Sequence, residues 1–544
     1  MPFVSQRTLR NCLPLLVFLS LCLLLAATTR SLRNGAGLPK PSFRLGSHQK
    51  DGPARHAQQQ GKQKTIPGQP SRLEDLKPGQ CTPEMDFLRR EQLGLTETIR
   101  YTRRCIRPIR SDKVDRNVLT NISSPLVDIA KMATINLTSC ARTEIPPCKV
   151  LELHAPNRYP ERTYPHLLFG IASSYARMES SIDAFATWLS GTGAQLYVII
   201  QDADKHFLAD LEQLYRDSGI EATFVPPPSL NPPKEAENPT IEHLHFLLVR
   251  SLLAFSTPGV TSWIGIIDDD TFLPHLYPLQ TRILSQFNPQ KAHWIGALSD
   301  DFNAISLWGF MAFGGAGVFL SIPLAREIEP HIETCIKRAR IQSGDGILKE
   351  CVYAYTRTKL SIVGGLYQHD IRGDVSGFYE GGLETPVSLH HWRSWYREEG
   401  LPRGVLVGRE VCGGCWLQRF KFGGVAGDKQ GQEGEGINDV LFVNGYSISE
   451  YFPAEGTWKA GPGGLDNIDL GRIEGTWGHA FNGEYDFSYG PLRRRLGAAR
   501  KKSYKLVDVN LIKELRQIYV HRKSDAWQVE EGAMDEVIEL IWEV

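Results

Sequence analysis

Between residues 166 and 267 short apolar runs alternate with segments of helical periodicity, and this alternation restricts the fold more than any other feature. His166–Ile171, Gln195–Ile200, Thr223–Val225 and Ser262–Ile267 read as strands. Arg177–Leu189 places Met178, Ile182, Phe185 and Leu189 on one helical face; Ala203–Asp217 and Glu242–Phe255 are further helix candidates. Strand–helix alternation builds a mostly parallel sheet with helices on both faces and right-handed crossovers. After residue 400 the pattern changes. Gly-rich turns separate the short candidate strands Gly404–Val407, Cys415–Phe422 and Asp439–Asn444, and Val509–Tyr519 and Met534–Glu543 read as helix or strand. Residues 401–544 are therefore expected to form a β-rich region packed on an α/β core.

The run Trp263–Ile267 leads directly into Asp268-Asp269-Asp270. Sites in open α/β sheets lie at the carboxyl ends of strands. Three adjacent carboxylates repel one another unless a cation sits among them. Mn2+ and Mg2+ favour carboxylate oxygen, and such an ion neutralises charge on a leaving phosphate. An acidic turn with Asp as a helix N-cap is the structural alternative. Two metal-dependent chemistries fit the triplet. One is sugar-nucleotide transfer, with an Asp-x-Asp holding the metal on a diphosphate. The other is phosphohydrolysis of the DxDx[TV] type, and here the fifth position is Phe272, which counts against it.

Composition narrows the field further. The 61 basic side chains equal the 61 acidic ones, so the basic excess of an electrostatic nucleic-acid binder is missing and no nucleic-acid partner is expected. With 42% hydrophobic and 22% charged residues, the chain is not of the disordered class.

Residues 1–10 carry Arg7 and Arg10, and Cys12–Thr29 is an almost unbroken apolar run. A signal peptide cleaved near Ala26–Thr29 and an uncleaved signal-anchor both fit. The length of the run favours an anchor at 11–29 behind a cytoplasmic tail, 1–10. Arg30, Arg33, Lys40 and Arg44 follow it, and the positive-inside rule opposes that orientation. Residues 30–80, rich in Gln, Gly, Pro and basic side chains, read as a flexible stem. Residues 81–160 read as an irregular extension with cysteines and two sequons, Asn121-Ile-Ser123 and Asn136-Leu-Thr138, which matter only in the secretory lumen. Eight cysteines outside the apolar run suit a disulfide-forming compartment. Cys335–Cys351 and Cys140–Cys148 are the pairs expected, and Cys412-Gly-Gly-Cys415 suits a local disulfide or two structural thiols.

Five motifs then occur in order: Ile266-Ile-Asp-Asp-Asp-Thr-Phe272, Trp294-Ile-Gly296, Phe313-Gly-Gly-Ala-Gly-Val-Phe319, Ser343-Gly-Asp-Gly-Ile-Leu-Lys-Glu-Cys351 and Pro386-Val-Ser-Leu-His-His-Trp392. Together they resemble the Fringe-like branch of glycosyltransferase family 31, its fungal members in particular, over about 165–400. Asn444-Gly-Tyr-Ser447 and Arg516-Gln-Ile-Tyr-Val520 are similar to the same group. The resemblance implies a GT-A (Rossmann-like) α/β domain at 161–400 and inverting transfer of a hexose or N-acetylhexosamine, with Mn2+ or Mg2+. The donor would be a UDP-sugar and the acceptor a hydroxyl of a glycan or glycoprotein, with β1,3 the family's typical bond. It also implies a Golgi, single-span, luminal enzyme, which outweighs the flanking charges.

Residue by residue, the resemblance makes Asp268 and Asp270 metal ligands, Asp270 most directly, with Asp268 and Asp269 on the donor. His390 is the late histidine completing the metal site, or His391 by a one-residue offset. Asp345 is the catalytic base. The family's Asp-Asp pair is reduced here to Ser343-Gly344-Asp345-Gly346, so this single carboxylate carries the role. Gly315 and Gly317, in a run without side chains, suit close approach of a sugar. Gln201 and Asp202, after the second strand, are placed to meet uridine or ribose. Trp308, Trp392 and Trp395 are candidate sugar-stacking residues. The rivals are a phosphohydrolase and a non-catalytic sugar-binding protein on a transferase fold.

Overall fold

The computed structural model describes residues 83–138, 145–228, 239–370, 379–381, 384–391, 404–423, 439–451, 476–478, 486–488, 501–511, 514–525 and 532–544. The apolar run 12–29, the stem, Cys140, Trp392 and Trp395 lie outside them. Among the described residues no helix is long and apolar enough to cross a membrane.

The expected α/β sheet is present. Its seven strands run in the order Leu360–Ile362, Trp294–Gly296, Val318–Ser321, Trp263–Ile266, Leu167–Ser173, Gln195–Ile200, Glu221–Val225. Only Val318–Ser321 is antiparallel to its two neighbours; the other pairings are parallel. Alternation along Leu167–Ser173 sends Leu167, Phe169 and Ile171 into one core and Leu168 into another. The first core packs Phe185, Trp188, Leu211 and Tyr215, and the second packs the apolar stripe of the helix Ile241–Phe255. A Cβ on Gly170 would lie 2.5 Å from Leu252, so glycine lets that helix sit against the strand.

Two helices differ from expectation. Arg177–Leu189 is broken at Ser180-Ser181 into Tyr175–Glu179 and Ile182–Leu189, where the Ser181 hydroxyl bonds the Arg177 carbonyl. Ala203–Asp217 is a 3-10 turn, Ala203–Lys205, followed by the helix Leu208–Asp217.

The C-terminal region is β-rich, but its sheet does not belong to it alone. Ten strands include Arg419–Phe422, Asp439–Val443, Ser447–Tyr451, Lys501–Leu511, Leu515–His521 and Asp535–Trp542. The last lies parallel to Thr98–Arg110, with Ile99 opposite Asp535 and Ile106 opposite Trp542. The segment read as irregular therefore supplies four of the ten strands of this sheet, Thr120–Ile122, Ala133–Asn136 and Lys149–Ala155 being the others. Gly404–Val407, read as a strand, instead leads into a helix, Leu406–Glu410. Phe420, Phe442, Tyr519 and Trp542 share one core with Phe169 and Trp188 of the α/β unit.

At the centre of the ten-stranded sheet the fully buried Glu380 accepts from Ser447 (2.5 Å) and Ser449 (2.9 Å) on one oxygen, and from Lys501 (2.5 Å) and Tyr451 (3.3 Å) on the other.

Cys335–Cys351 forms as expected, and Cys412 is bonded to Cys415. Cys148 pairs with Cys105, not Cys140. Strand register explains the correction, because Arg104 and Cys105 lie opposite Lys149 and Val150, next to Cys148.

Candidate active site

The strand Trp263–Ile266 is buried along its whole length and leads to the acidic triplet, whose carboxylates face two ways. Asp269 turns away from its neighbours. Its two oxygens take the Arg177 guanidinium (Nε at 2.6 Å, and Nη2), and the Ser173 hydroxyl adds a third bond. This carboxylate ties the end of the first strand and the following helix to the triplet. Asp270, 4% exposed, points the other way, 2.9 Å from His390 Nε2 and 3.6 Å from His391 Nδ1. Asp268 reaches His390 Nε2 at 3.2 Å and His245 Nε2 at 3.5 Å.

The histidine pair arrives from a distant segment. Ser388–Leu389 is a short strand beside Leu366–Tyr367, and Leu389 exchanges backbone hydrogen bonds with Phe272, two residues past the triplet. That ladder sets His390 and His391 over Asp270. The rings stack with centroids 3.6 Å apart, and His391 adopts a left-handed φ of 56°, uncommon for a side-chain-bearing residue. A Cβ on Gly315 would fall 2.0 Å from the His390 ring. The glycine that was expected to let a sugar approach is thus occupied by the histidine. Gly317 serves the same turn through its φ of 95°. His391 Nε2 also faces Asp370 at 3.4 Å, and Asp370 accepts from Ser299 at 2.5 Å.

Asp345 sits in the first turn of the helix Gly344–Tyr355, capped by Ser343. Its Oδ2 accepts the Gly314 N–H at 2.7 Å, while Oδ1 is buried without a hydrogen-bond partner. The cation nearest Oδ1 is His245 Nε2, at 3.9 Å. Sequence reasoning missed His245. It is one of two histidines in an apolar helix, His243 being the other, with no recognised motif around it, and packing brings it between Asp268 and Asp345. Gly314 and Gly344 would each put a Cβ within 2.8 Å of its ring, so both glycines make room for it.

The electrostatics divide the carboxylates. Burial pushes Asp268 and Asp270 up, but the facing histidines outweigh it and hold both well below the usual carboxylate range. Burial lowers His390, yet Asp270 and Asp268 raise it to about 10. Burial likewise opposes charge on His245, and Asp268 and Asp345 prevail and raise it. At Asp345 burial wins. Its carboxyl is pushed up to about 6, against the pull of His245 and with Asp268 adding to the rise. A carboxyl poised near neutrality beside a charged cluster is what a general base requires.

One ligand atom each from Asp270, His390 and His391 lies within 4.8 Å of the others. Ligands of one ion at metal–ligand distances of about 2.0–2.6 Å are separated by similar spans, and a mixed carboxylate–imidazole set suits Mn2+.

Other expected residues lie at the neighbouring strand end. Gln201 is exposed, its N–H donating to the Ser173 carbonyl at 2.8 Å. Asp202 accepts the Tyr175 N–H at 2.9 Å and faces His206 at 3.3 Å, and the His206 ring stacks on Tyr175. Trp308 is partly exposed, and its carbonyl accepts from Lys349. The α/β unit has its aspartates at the carboxyl end of a central parallel strand and one antiparallel insertion, an arrangement compatible with the expected GT-A domain.

Residues 305–396, which hold the glycine turn, Asp345 and both histidines, match the family described as "Protein of unknown function, DUF604". No curated protein matches the chain. Solved structures that align with it include three glycosyltransferases. The apo form of GlyE from Streptococcus pneumoniae TIGR4 shows 14% identity over 36% of this chain and 44% of that chain, with a TM-score of 0.24. The galactosyltransferase LgtC in complex with donor and acceptor sugar analogs shows 10% identity over 41% and 86%, with a TM-score of 0.27. Glucosyl-3-phosphoglycerate synthase from Mycobacterium tuberculosis, in complex with Mn2+, UDP-glucose and phosphoglyceric acid, shows 12% identity over 45% and 78%, with a TM-score of 0.25. The chain spans less than half the length of the first of these.

Proposed function

We propose that this chain is a metal-dependent, inverting glycosyltransferase that moves a hexose or N-acetylhexosamine from a UDP-sugar to a glycan or glycoprotein hydroxyl, with β1,3 the expected bond. One observation carries the reading. Asp270, His390 and His391 converge on a common point at a strand end, and a largely buried carboxylate, Asp345, stands one histidine away. Bound there, Mn2+ or Mg2+ would supply charge neutralisation for the diphosphate that leaves.

The residues divide the remaining work. Asp270, His390 and His391 hold the ion, and Asp268 holds His390 and His245 in line. Arg177 neutralises Asp269, so the third acidic charge is not added to a site that must accept a diphosphate. Asp345 Oδ1, without a hydrogen bond of its own, takes the proton from the acceptor hydroxyl as that oxygen attacks the anomeric carbon. Tyr175 and Asp202 are placed for the nucleoside. The luminal, Golgi-anchored location belongs to the same proposal. The three disulfides among the described residues and the exposed sequon residues Asn121 and Asn136 support it.

The test is a panel of UDP-sugars with Mn2+, read as UDP release with and without glycan acceptors. At least one donor is expected to turn over, and EDTA to stop it reversibly. Asp345→Asn should keep UDP binding and lose roughly 10²–10⁴-fold in turnover. Full activity in EDTA, or phosphate release from an aryl phosphate with no UDP-sugar turned over, would overturn the reading.

A further inference from the structure

At the amino ends of the parallel strands, on the side of the sheet away from the acidic triplet, the chain forms a cleft of about 860 Å³. Its floor lies where the Tyr164 N–H bonds the Thr192 carbonyl, just ahead of Leu167–Ser173 and Gln195–Ile200. Seven residues of strand separate that floor from Ser173, which touches Asp269. At about 3.3 Å per residue the two sites are roughly 20 Å apart.

The walls have a definite chemistry. On one side the rings of Tyr159 and His275 lie 5.0 Å apart, and behind them Tyr277 stacks on Tyr159 (5.0 Å) beneath the Arg162 guanidinium (5.4 Å). Thr163, Thr187, Ser190 and Thr192 bring hydroxyls. Tyr164 and Trp188 also line the cleft. Both are nearly fully buried, and the Tyr164 hydroxyl and the Trp188 indole N–H have no hydrogen-bond partner. The charges cancel, with Arg158 and Arg162 set against Glu161 and Glu410.

We infer that this cleft is a second, non-catalytic binding site for a neutral oligosaccharide. Planar side chains offer faces to the C–H surface of a sugar ring, and hydroxyls with paired charges answer its many O–H groups. A nucleotide or anionic glycan would need a cationic excess, and a lipid chain would need apolar walls; the cleft has neither. Its volume is that of a ligand pocket, and it lies between the α/β unit and the segment leading from the ten-stranded sheet, a common place for one. The inference is independent of the transferase reading, since it uses none of the groups around Asp270.

The test uses the full chain in EDTA and ligand-observed NMR with three neutral probes, chitotriose, laminaritriose and maltotriose, and a heparin disaccharide as the charged comparison. At least one neutral trisaccharide should bind saturably. Its dissociation constant should rise tenfold or more in Glu161→Ala/Arg162→Ala and in Ser190→Trp, three exposed positions where folding is retained by melting temperature, and stay within twofold in Asp270→Ala. The inference is overturned if none of the three binds or if the cleft variants bind as the parent does. It is equally overturned if Asp270→Ala abolishes binding, or if the heparin disaccharide binds more tightly than all three neutral probes.

Discussion

Glu380 and the aspartates beyond Trp263–Ile266 are acidic groups withdrawn from water under opposite conditions. Both oxygens of Glu380 are filled by donors fixed in the ten-stranded sheet, Lys501 among them, and these outweigh burial to keep it ionised. At the other centre no lysine reaches Asp268, Asp270 or Asp345 among the contacts described; imidazoles stand between them, and one oxygen of Asp345 is left without a hydrogen bond. A carboxylate answered by a permanent cation is a structural joint. One answered by imidazole is exchangeable, because in the proposed site an incoming divalent ion would displace the proton on His390. Stability and chemistry should therefore separate cleanly on mutation.

The sharpest way to break that contrast is Asp270→Ala. Transfer should fall by ~10³-fold or more while the urea midpoint stays near that of the parent; a collapse of stability would make Asp270 a joint as well. The converse change, Glu380→Ala, removes the carboxylate that faces the buried Lys501 and should cost about 3–5 kcal/mol in urea unfolding. Glu380→Leu with Lys501→Met should recover only part of it, since both charges go but the buried Ser447, Ser449 and Tyr451 hydroxyls lose this acceptor. A subtler test is Gly315→Ala. Its methyl has no room beside His390, so Mn2+ affinity by titration should drop roughly 10–100-fold, the range for a lost supporting contact.

The smallest expected effect concerns pH. Asp345 must be ionised to act, and with its carboxyl pushed up to about 6, turnover should fall as pH drops through that region. The charge on His245 holds this value down. His245→Gln should therefore move the acid limb of kcat/KM to higher pH, by under about one unit. A limb that stays fixed, or moves lower, would remove His245 from the electrostatics of Asp345.

The α/β half was legible because its central strands are buried apolar runs and its acidic triplet follows one of them without a break. The ten-stranded sheet was not. Thr98–Arg110 carries five arginines and Pro108, which argue against a strand, and its partner Asp535–Trp542 lies more than 400 residues away, where no local pattern announces it. The site followed the same division. Asp268, Asp270, Asp345 and His390 stood in recognisable motifs. His245, the tie between Arg177 and Asp269, and the steric reason for Gly315 exist only once distant segments have packed. The expected Cys140–Cys148 pair relied on nearness in sequence, where strand register was decisive.

The parallel seam between Thr98–Arg110 and Asp535–Trp542 has a consequence for how the molecule comes into being. Ile99 leaves the ribosome 436 residues ahead of Asp535, and at about 5–20 residues per second it waits roughly 20–90 s for its neighbour. Throughout that interval a long, arginine-studded edge is open to any other strand. Maturation should accordingly be slow and chaperone-dependent, and an affinity tag fused hard against either side of the seam should lower the yield of native protein more than one inserted in a surface turn.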